Sequence, residues 1–137
     1  MSSNLMDLAE RVEAATGPDR ELDALIEIEV VGFPERAFQQ KNAMRPRGAA
    51  PIDRMEWLMS WGVLRFTASI DAAITLIPEG WVRAVDATAP EMGIDVELWP
   101  EGQSQEHVKG TNEREALATC AAALRARSSQ LLLEKGE

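Results

Sequence analysis

The stretch Ile94-Asp95-Val96-Glu97-Leu98-Trp99 alternates apolar and acidic residues for most of its length. Because successive side chains of a strand point to opposite faces, this pattern predicts a strand whose apolar side chains are packed and whose two carboxylates face water. One packed face and one wet face are typical of an antiparallel sheet. A second strand is predicted at Trp81–Ala87, joined to the first by a turn that contains Pro90 and Gly93.

Two helices are predicted at the start of the sequence. Asn4 is suited to cap the first, and Gly17, followed by a proline, ends it. Asp19 is suited to cap the second, which is predicted to extend to about Glu29. Residues 26–31 fit two descriptions, because they continue the helical pattern and also alternate as a strand would. The helix is favoured because it follows naturally from the Pro-Asp start.

Shorter elements are predicted in the rest of the chain. Residues 53–61 form a short helix ended by Gly62, Val63–Phe66 form a short strand, and Thr67 caps a further helix. Glu101–Gly110 is predicted to be a polar loop. Two apolar sets are expected to be buried: Ile70, Ala73, Ile74 and Ile77 in the helix after Thr67, and Ala116, Leu117, Cys120, Ala121 and Leu124 in a C-terminal helix.

This order of elements predicts a single α+β domain over residues 1–137. A chain of 137 residues can bury roughly two-thirds of its unfolded surface. The economical packing is a small, mainly antiparallel sheet of about three to four strands covered by helices, in an α-β-α sandwich-like arrangement. Residues 35–52 mix bases, glutamines, glycine and prolines without apolar periodicity, and they are predicted to form a basic irregular loop.

The chain is acidic, with 14 Lys and Arg against 23 Asp and Glu and a net charge of −9. A field of that sign argues against direct binding to nucleic acid or to an anionic membrane. The charge is uneven: residues 1–35 have a net charge of −7, residues 36–54 of +4 and residues 55–137 of −6. No apolar run approaches the roughly 20 residues that span a bilayer. A lone cysteine, Cys120, is consistent with the reducing cytoplasm of a host cell.

The sequence contains no motif for catalysis, a cofactor or a metal. His107 and Cys120 are the only histidine and the only cysteine, and neither has the closely spaced partners of a zinc site. Cys120 falls on an apolar helix face, which favours a buried structural thiol. Asp95 and Glu97 lie about 7 Å apart on one strand face, which a solvated face explains without acid–base chemistry. We therefore expect a protein that is not an enzyme and binds no cofactor and no metal.

The basic segment, residues 36–54, and the short helix after it form the predicted partner-binding region. Trp57 and Trp61 share one face if residues 53–61 are helical, and tryptophan and arginine are enriched at interface centres. The alternative, that both tryptophans fill the core, stays open because the chain has only three Phe and no Tyr. The expected partner is a host or phage protein, or a second copy of this chain in a homo-oligomer. The predicted contact residues are Arg45, Arg47, Trp57 and Trp61.

Three stretches are distinctive when taken together: Leu8–Asp23 (LAERVEAATGPDRELD), Phe66–Trp81 (FTASIDAAITLIPEGW) and Ala116–Arg127 (ALATCAAALRAR). In this order they resemble a family of small uncharacterised proteins encoded by proteobacterial phages and prophages, related to the phage ABA sandwich domain. The resemblance implies an α-β-α arrangement of the same size, and it implies no activity. The chain departs from the family pattern between Phe33 and Trp61, so the basic segment is expected to be particular to this protein.

Small size, acidity, the lack of a catalytic motif and the phage-like blocks together predict a function. We expect a non-enzymatic accessory protein of a phage or prophage that binds another protein in the host cytoplasm. The most specific form of this expectation is an inhibitor of a host defence system, such as an anti-CRISPR protein. The alternative is a virion or head–tail assembly component that self-associates.

Overall fold

A computed structural model describes residues 2–88, 90–103 and 107–135. A 3-10 turn at Pro90–Met92 lies between the first two strands. In chain order, the helices and strands are α1 (Ser2–Ala14), α2 (Arg20–Val30), α3 (Glu35–Ala43), α4 (Arg54–Trp61), α5 (Ile70–Ile74), β1 (Trp81–Asp86), β2 (Ile94–Pro100), β3 (Val108–Asn112) and α6 (Glu115–Lys135).

The first part of helix α6 lies at the centre of the fold because its side chains are small or apolar on every side. All residues from Ala116 to Leu124 are buried, whereas the sequence predicts a single packed stripe. A helix that is apolar all round must be enclosed. The Cys120 thiol donates to the Phe66 carbonyl oxygen at 3.1 Å, while Ala118, on the opposite side of the helix, lies against Gly110 of β3. The helix therefore lies between the sheet and the segment that leads into α5.

The strands form an antiparallel sheet in the order β1-β2-β3. Helix α6 covers one face of this sheet through contacts with β2 and β3. Val96 and Leu98 are fully buried on that face, and Ile94 is half-buried. Asp95 and Glu97 project from the opposite face and stay partly exposed. The alternation of β2 thus has the orientation that the sequence predicts.

The backbone of α6 comes closest to the sheet at Gly110. A Cβ atom on this residue would lie 2.2 Å from the Ala118 carbonyl oxygen and 2.5 Å from the Ala122 backbone nitrogen. No side chain can occupy such distances, so helix and strand touch only because β3 has a glycine at this position.

We expect Gly110→Ala to lower the free energy of unfolding by about 3 kcal/mol or more, because α6 must move away from the sheet. Gly17→Ala is the matched control, since its Cβ would meet the Arg114 Nε atom at an ordinary 3.8 Å. Urea unfolding followed by circular dichroism measures both variants. A Gly110→Ala protein as stable as the wild type would contradict the close contact.

Helix α2 starts and continues as the sequence predicts. The Asp19 carboxylate accepts the Leu22 N–H at 3.1 Å and caps the helix. The helix then extends to Val30, so the strand alternative for residues 26–31 is wrong. Ile26 is fully buried on its inner face.

Helix α1 packs along α6 and against β3. It starts earlier than predicted, so Asn4 lies inside the helix and does not cap it. The last carbonyl groups of a helix need donors from outside it. The Asn112 side-chain amide supplies them to α1, donating to the carbonyl oxygens of Glu13 and Ala15 at 3.0 and 3.1 Å. Asn112, at the end of β3, therefore closes the C-terminal end of α1.

The strand predicted at Val63–Phe66 does not form, because side chains of α2 take up the backbone groups of this region. The Arg20 guanidinium donates to the Val63 carbonyl oxygen at 2.9 Å. Asp23, which is 1% exposed, accepts both the N–H and the hydroxyl of Thr67 at 2.8 Å. Because these backbone groups already have hydrogen-bond partners, the segment does not need to pair with another strand. Thr67 is buried and bonded to Asp23, and it does not cap the following helix as predicted.

Helix α5 is shorter than predicted and starts later, with the Ser69 side chain as its cap. Ala73 is buried as expected, but Ile70 and Ile74 are each 39% exposed, so their predicted burial is wrong. Leu76, in the turn after the helix, is only 2% exposed and occupies the core position. Because the helix ends after five residues, its helical spacing does not extend to the later apolar residues.

Two alanine substitutions distinguish these positions. Leu76→Ala should lower the free energy of unfolding by about 2–5 kcal/mol, since it leaves a cavity in the core. Ile74→Ala should lower it by less than about 1 kcal/mol, because that side chain already contacts water. Chemical denaturation of both variants measures the difference. Equal losses of stability would contradict the placement of α5.

The predicted fold class is confirmed: a three-stranded antiparallel sheet packs against helices, chiefly α6 and α1. Within this arrangement, α6 occupies the middle layer. Two local predictions are wrong. Residues 108–110 belong to β3 and not to a polar loop. Residues 35–43 form α3, which is fixed by the buried Phe38 side chain, so only residues 44–53 are irregular.

Candidate interaction surface

The basic segment, residues 36–54, comprises most of α3, an exposed loop at residues 44–53 and the first residue of α4. An aromatic cluster of Phe33, Phe38 and Trp57 holds the two helices together. The ring centroids of Phe38 and Trp57 are 5.1 Å apart, and those of Phe33 and Phe38 are 5.5 Å apart. Such edge-to-face pairs add about 0.5–1.5 kcal/mol beyond the burial of the rings. Both ends of the loop are therefore anchored.

Arg54 reinforces this junction. Its guanidinium carbon lies 4.2 Å from the Phe33 ring centroid and 4.7 Å from the Phe38 ring centroid, which is a cation–π arrangement. It also forms an ion pair with Glu35, which accepts a further hydrogen bond from Gln39 at 2.9 Å. Hydrogen bonds from Arg54 and Gln39 hold the pKa of Glu35 below its ordinary value. Arg54 is thus engaged within the chain.

Arg45 and Arg47 have no such engagement. Both side chains are exposed, and within the described ranges no carboxylate oxygen lies within 4.0 Å of either guanidinium. Met44 beside them is 82% exposed. Arginine binds carboxylates in a bidentate geometry, and methionine adapts to irregular apolar surfaces. The loop is therefore suited to contact an acidic surface that includes an apolar patch.

Trp57 does not join these arginines as a surface patch. Trp57 is only 8% exposed, so the structure favours the core alternative for this residue. The side chain of Trp61 lies outside the described part of the structure, and its role stays a prediction. Phe33 and Phe38 were not among the predicted residues, and their spacing across the start of α3 was the available signal for the aromatic cluster.

The two edges of the sheet form a further pair of surfaces, and the edge at β3 is closed by side chains. Glu13 of α1 accepts the Thr111 N–H at 2.9 Å, and Arg125 of α6 donates to the Lys109 carbonyl oxygen at 2.8 Å. The same two side chains form a bidentate ion pair, with distances of 2.6 and 2.7 Å. Because an exposed edge is a template for another chain, this ion pair prevents pairing at β3.

The Glu13 ion pair makes stability depend on pH. The hydrogen bond from Arg125 holds the pKa of Glu13 below its ordinary value of 4.5, although burial opposes it. The folded protein therefore binds this proton less readily than the unfolded chain, so the contribution is full above pH 4.5 and is lost as the pH falls through the folded-state pKa.

Glu13→Gln should lower the free energy of unfolding by about 1–3 kcal/mol at neutral pH. Its deficit relative to the wild type should shrink as the pH falls below 4.5. Denaturation at a series of pH values measures this difference, with Glu29→Gln, at an exposed position on α2, as the control. A deficit that does not change with pH would contradict the role given to the carboxylate.

The residues considered for catalysis or metal binding lie in different parts of the structure. Burial raises the pKa of the Cys120 thiol, with a further contribution from Asp23, so the thiol is unreactive in the folded state. His107 is exposed next to β3. Asp95 accepts the Thr111 hydroxyl at 2.7 Å in a cross-strand contact. In the portion of the chain that the structure describes, no group of three His, Cys, Asp or Glu residues could hold a metal ion. That the protein is not an enzyme stays a prediction.

A cleft of about 330 Å³ lies between the end of α2, the segment after α4, and α6. Its apolar wall includes Leu64 and Leu76, and its polar groups include Glu27 and Arg127. The Arg127 Nε atom donates to the Leu76 carbonyl oxygen at 2.5 Å, and partial burial lowers the pKa of this guanidinium. Burial also raises the pKa of Glu27. Since a cation and a carboxyl group share the cleft, it favours no one class of ligand.

Comparisons with known proteins leave the chain without an identified relative. It matches no protein-family profile, no curated protein and no solved structure. The resemblance to phage and prophage proteins therefore stays a prediction from the sequence. Over the described residues, the helices are all too short or too polar to cross a membrane.

Proposed function

We propose that this protein is a non-enzymatic accessory protein of a phage or prophage, which acts in the host cytoplasm by binding another protein. The observation that supports this proposal is the placement of Arg45 and Arg47. They are exposed cations that no carboxylate of the described residues neutralises, in a chain with a net charge of −9. The phage or prophage origin rests on the three sequence blocks quoted above.

The surroundings of the two arginines suit a binding loop. Because the aromatic cluster and the Arg54–Glu35 ion pair anchor its ends, less conformational entropy is lost when the loop binds. Charge-assisted bidentate hydrogen bonds from arginine are among the stronger polar contacts between proteins. The proposed partner is a host or phage protein with an acidic surface and an apolar patch for Met44.

The most specific form of the proposed function is inhibition of a host defence system, as by an anti-CRISPR protein. The net charge of −9 opposes contact with nucleic acid, so such an inhibitor would act on a protein component of the defence complex. Expression in cells with active CRISPR immunity should then raise the plaquing of a targeted phage. Arg45→Glu/Arg47→Glu should abolish that rise.

Charge reversal tests the surface directly. Arg45→Glu/Arg47→Glu should weaken partner binding about tenfold or more, because attraction becomes repulsion, and should leave the melting temperature unchanged. Arg11→Glu/Arg65→Glu is the matched control: it changes the net charge equally at two other exposed positions. Affinity capture from infected or lysogenic cells with mass spectrometry identifies the partner, and titration of that partner gives the affinities.

The outcomes separate the alternatives. Loss of binding in the first variant alone supports the surface, whereas equal loss in both variants indicates an effect of net charge. Unchanged binding in the first variant means that the surface is wrong. Recovery of the protein from purified virions in a fixed ratio would favour the virion or head–tail component instead.

A further inference from the structure

The other sheet edge, β1, has a known orientation of its backbone groups. In an antiparallel strand both backbone groups of a residue point to the same side, and this side alternates along the strand. Lys109 and Thr111 point away from β2, since their backbone groups bond to side chains of α6 and α1. Through the register of the three strands, the backbone groups of Trp81, Arg83 and Val85 then also point away from β2.

A separate hydrogen bond leads to the same orientation. The Glu101 N–H donates to the Gly80 carbonyl oxygen at 2.9 Å, so hydrogen-bonded pairs with β2 fall on the even-numbered residues of β1. Of the outward groups, the Trp81 N–H bonds to a turn carbonyl oxygen at 3.3 Å. Within residues 2–88, 90–103 and 107–135, the outward groups of Arg83 and Val85 have no partner. The edge at β1 is therefore open, in contrast to the edge at β3.

We propose that the β1 edge pairs with the β1 edge of a second copy of this chain, which extends the sheet across a twofold axis. An arrangement centred on Arg83 aligns the outward-facing groups of both copies. It places Trp81 opposite Val85 of the other copy and Val82 opposite Ala84. Val82 and Val85 are 36% and 39% exposed in the monomer, and the pairing covers them.

The distribution of charge favours this strand as a contact between two acidic chains. Residues 81–85 contain no acid. Their one cation, Arg83, forms an ion pair with Glu115 of its own α6, so the two central arginines meet with their charges neutralised. The twofold register places Asp86 opposite Gly80 of the other copy, so no carboxylates face each other. The strand is therefore complementary to itself.

The dimer is expected to be weak, because a pairing of this length buries less than about 1,000 Å². The paired residues, 80–86, lie outside the basic segment. This inference therefore goes beyond the proposed function and does not rest on it, and either can fail alone.

Sedimentation velocity from about 1 to about 300 μM tests the pairing. The wild type should change from monomer to dimer as the concentration rises. Val85→Pro removes an outward N–H that β2 does not use, so it should stay monomeric with an unchanged melting temperature. Val85→Thr keeps the N–H and should dimerise, as should Arg45→Glu/Arg47→Glu. A monomeric wild type, or a Val85→Pro variant that dimerises as the wild type does, would overturn the proposal.

Disulfide trapping tests the register of the two β1 strands. It also tests the pairing itself if Val85→Pro does not fold. In the twofold arrangement positions 82 and 84 form a non-hydrogen-bonded pair, with Cα atoms about 4.5 Å apart, which a disulfide can bridge. Val82→Cys/Ala84→Cys should therefore give a covalent dimer on mild oxidation, while each single variant should not. Cys120 is buried and does not interfere. No cross-link in the double variant, or a cross-link in one single variant alone, would overturn the pairing centred on Arg83.

Discussion

Contact between the backbone of α6 and Gly110 of β3 is the constraint on which the rest of the structure depends. A Cβ at this position would lie 2.2 Å from the Ala118 carbonyl oxygen. The sheet can therefore lie this close to α6 only where β3 has no side chain. The alanines of α6 then leave room on its remaining sides for α1 and for the segment before α5. Leu117 and Leu124, both fully buried, belong to the common hydrophobic core.

Sequence patterns predicted the elements whose signals are local. The cap at Asp19, the end of α4 at Gly62 and the alternation of β2 depend on neighbouring residues, and all three are found in the structure. The errors occur where distant side chains decide the conformation. The region after Gly62 is irregular because Arg20 and Asp23 bond its backbone from 43 and 44 positions away, and no local pattern contains that information.

The same distinction applies to the candidate surface. The exposure of Arg45 and Arg47 could be predicted, since charged residues beside glycine and proline favour exposed loops. The position of Trp57 could not, because its burial depends on Phe33 and Phe38. Those rings reach the tryptophan only when α3 forms, and α3 has too few apolar residues for its helical spacing to be recognised. Whether a tryptophan is core or surface is thus a tertiary property.

The ion pair between Glu13 and Arg125 joins residues 112 positions apart, which has a consequence for biosynthesis. All three strands are synthesised before Arg125, so a nascent chain has a sheet with two open edges until its last helix docks. Contacts of such long sequence separation form late and slow folding. Intermediates with unpaired edges are prone to aggregate. The period between translation of β3 and docking of α6 is therefore when this chain is most prone to aggregate.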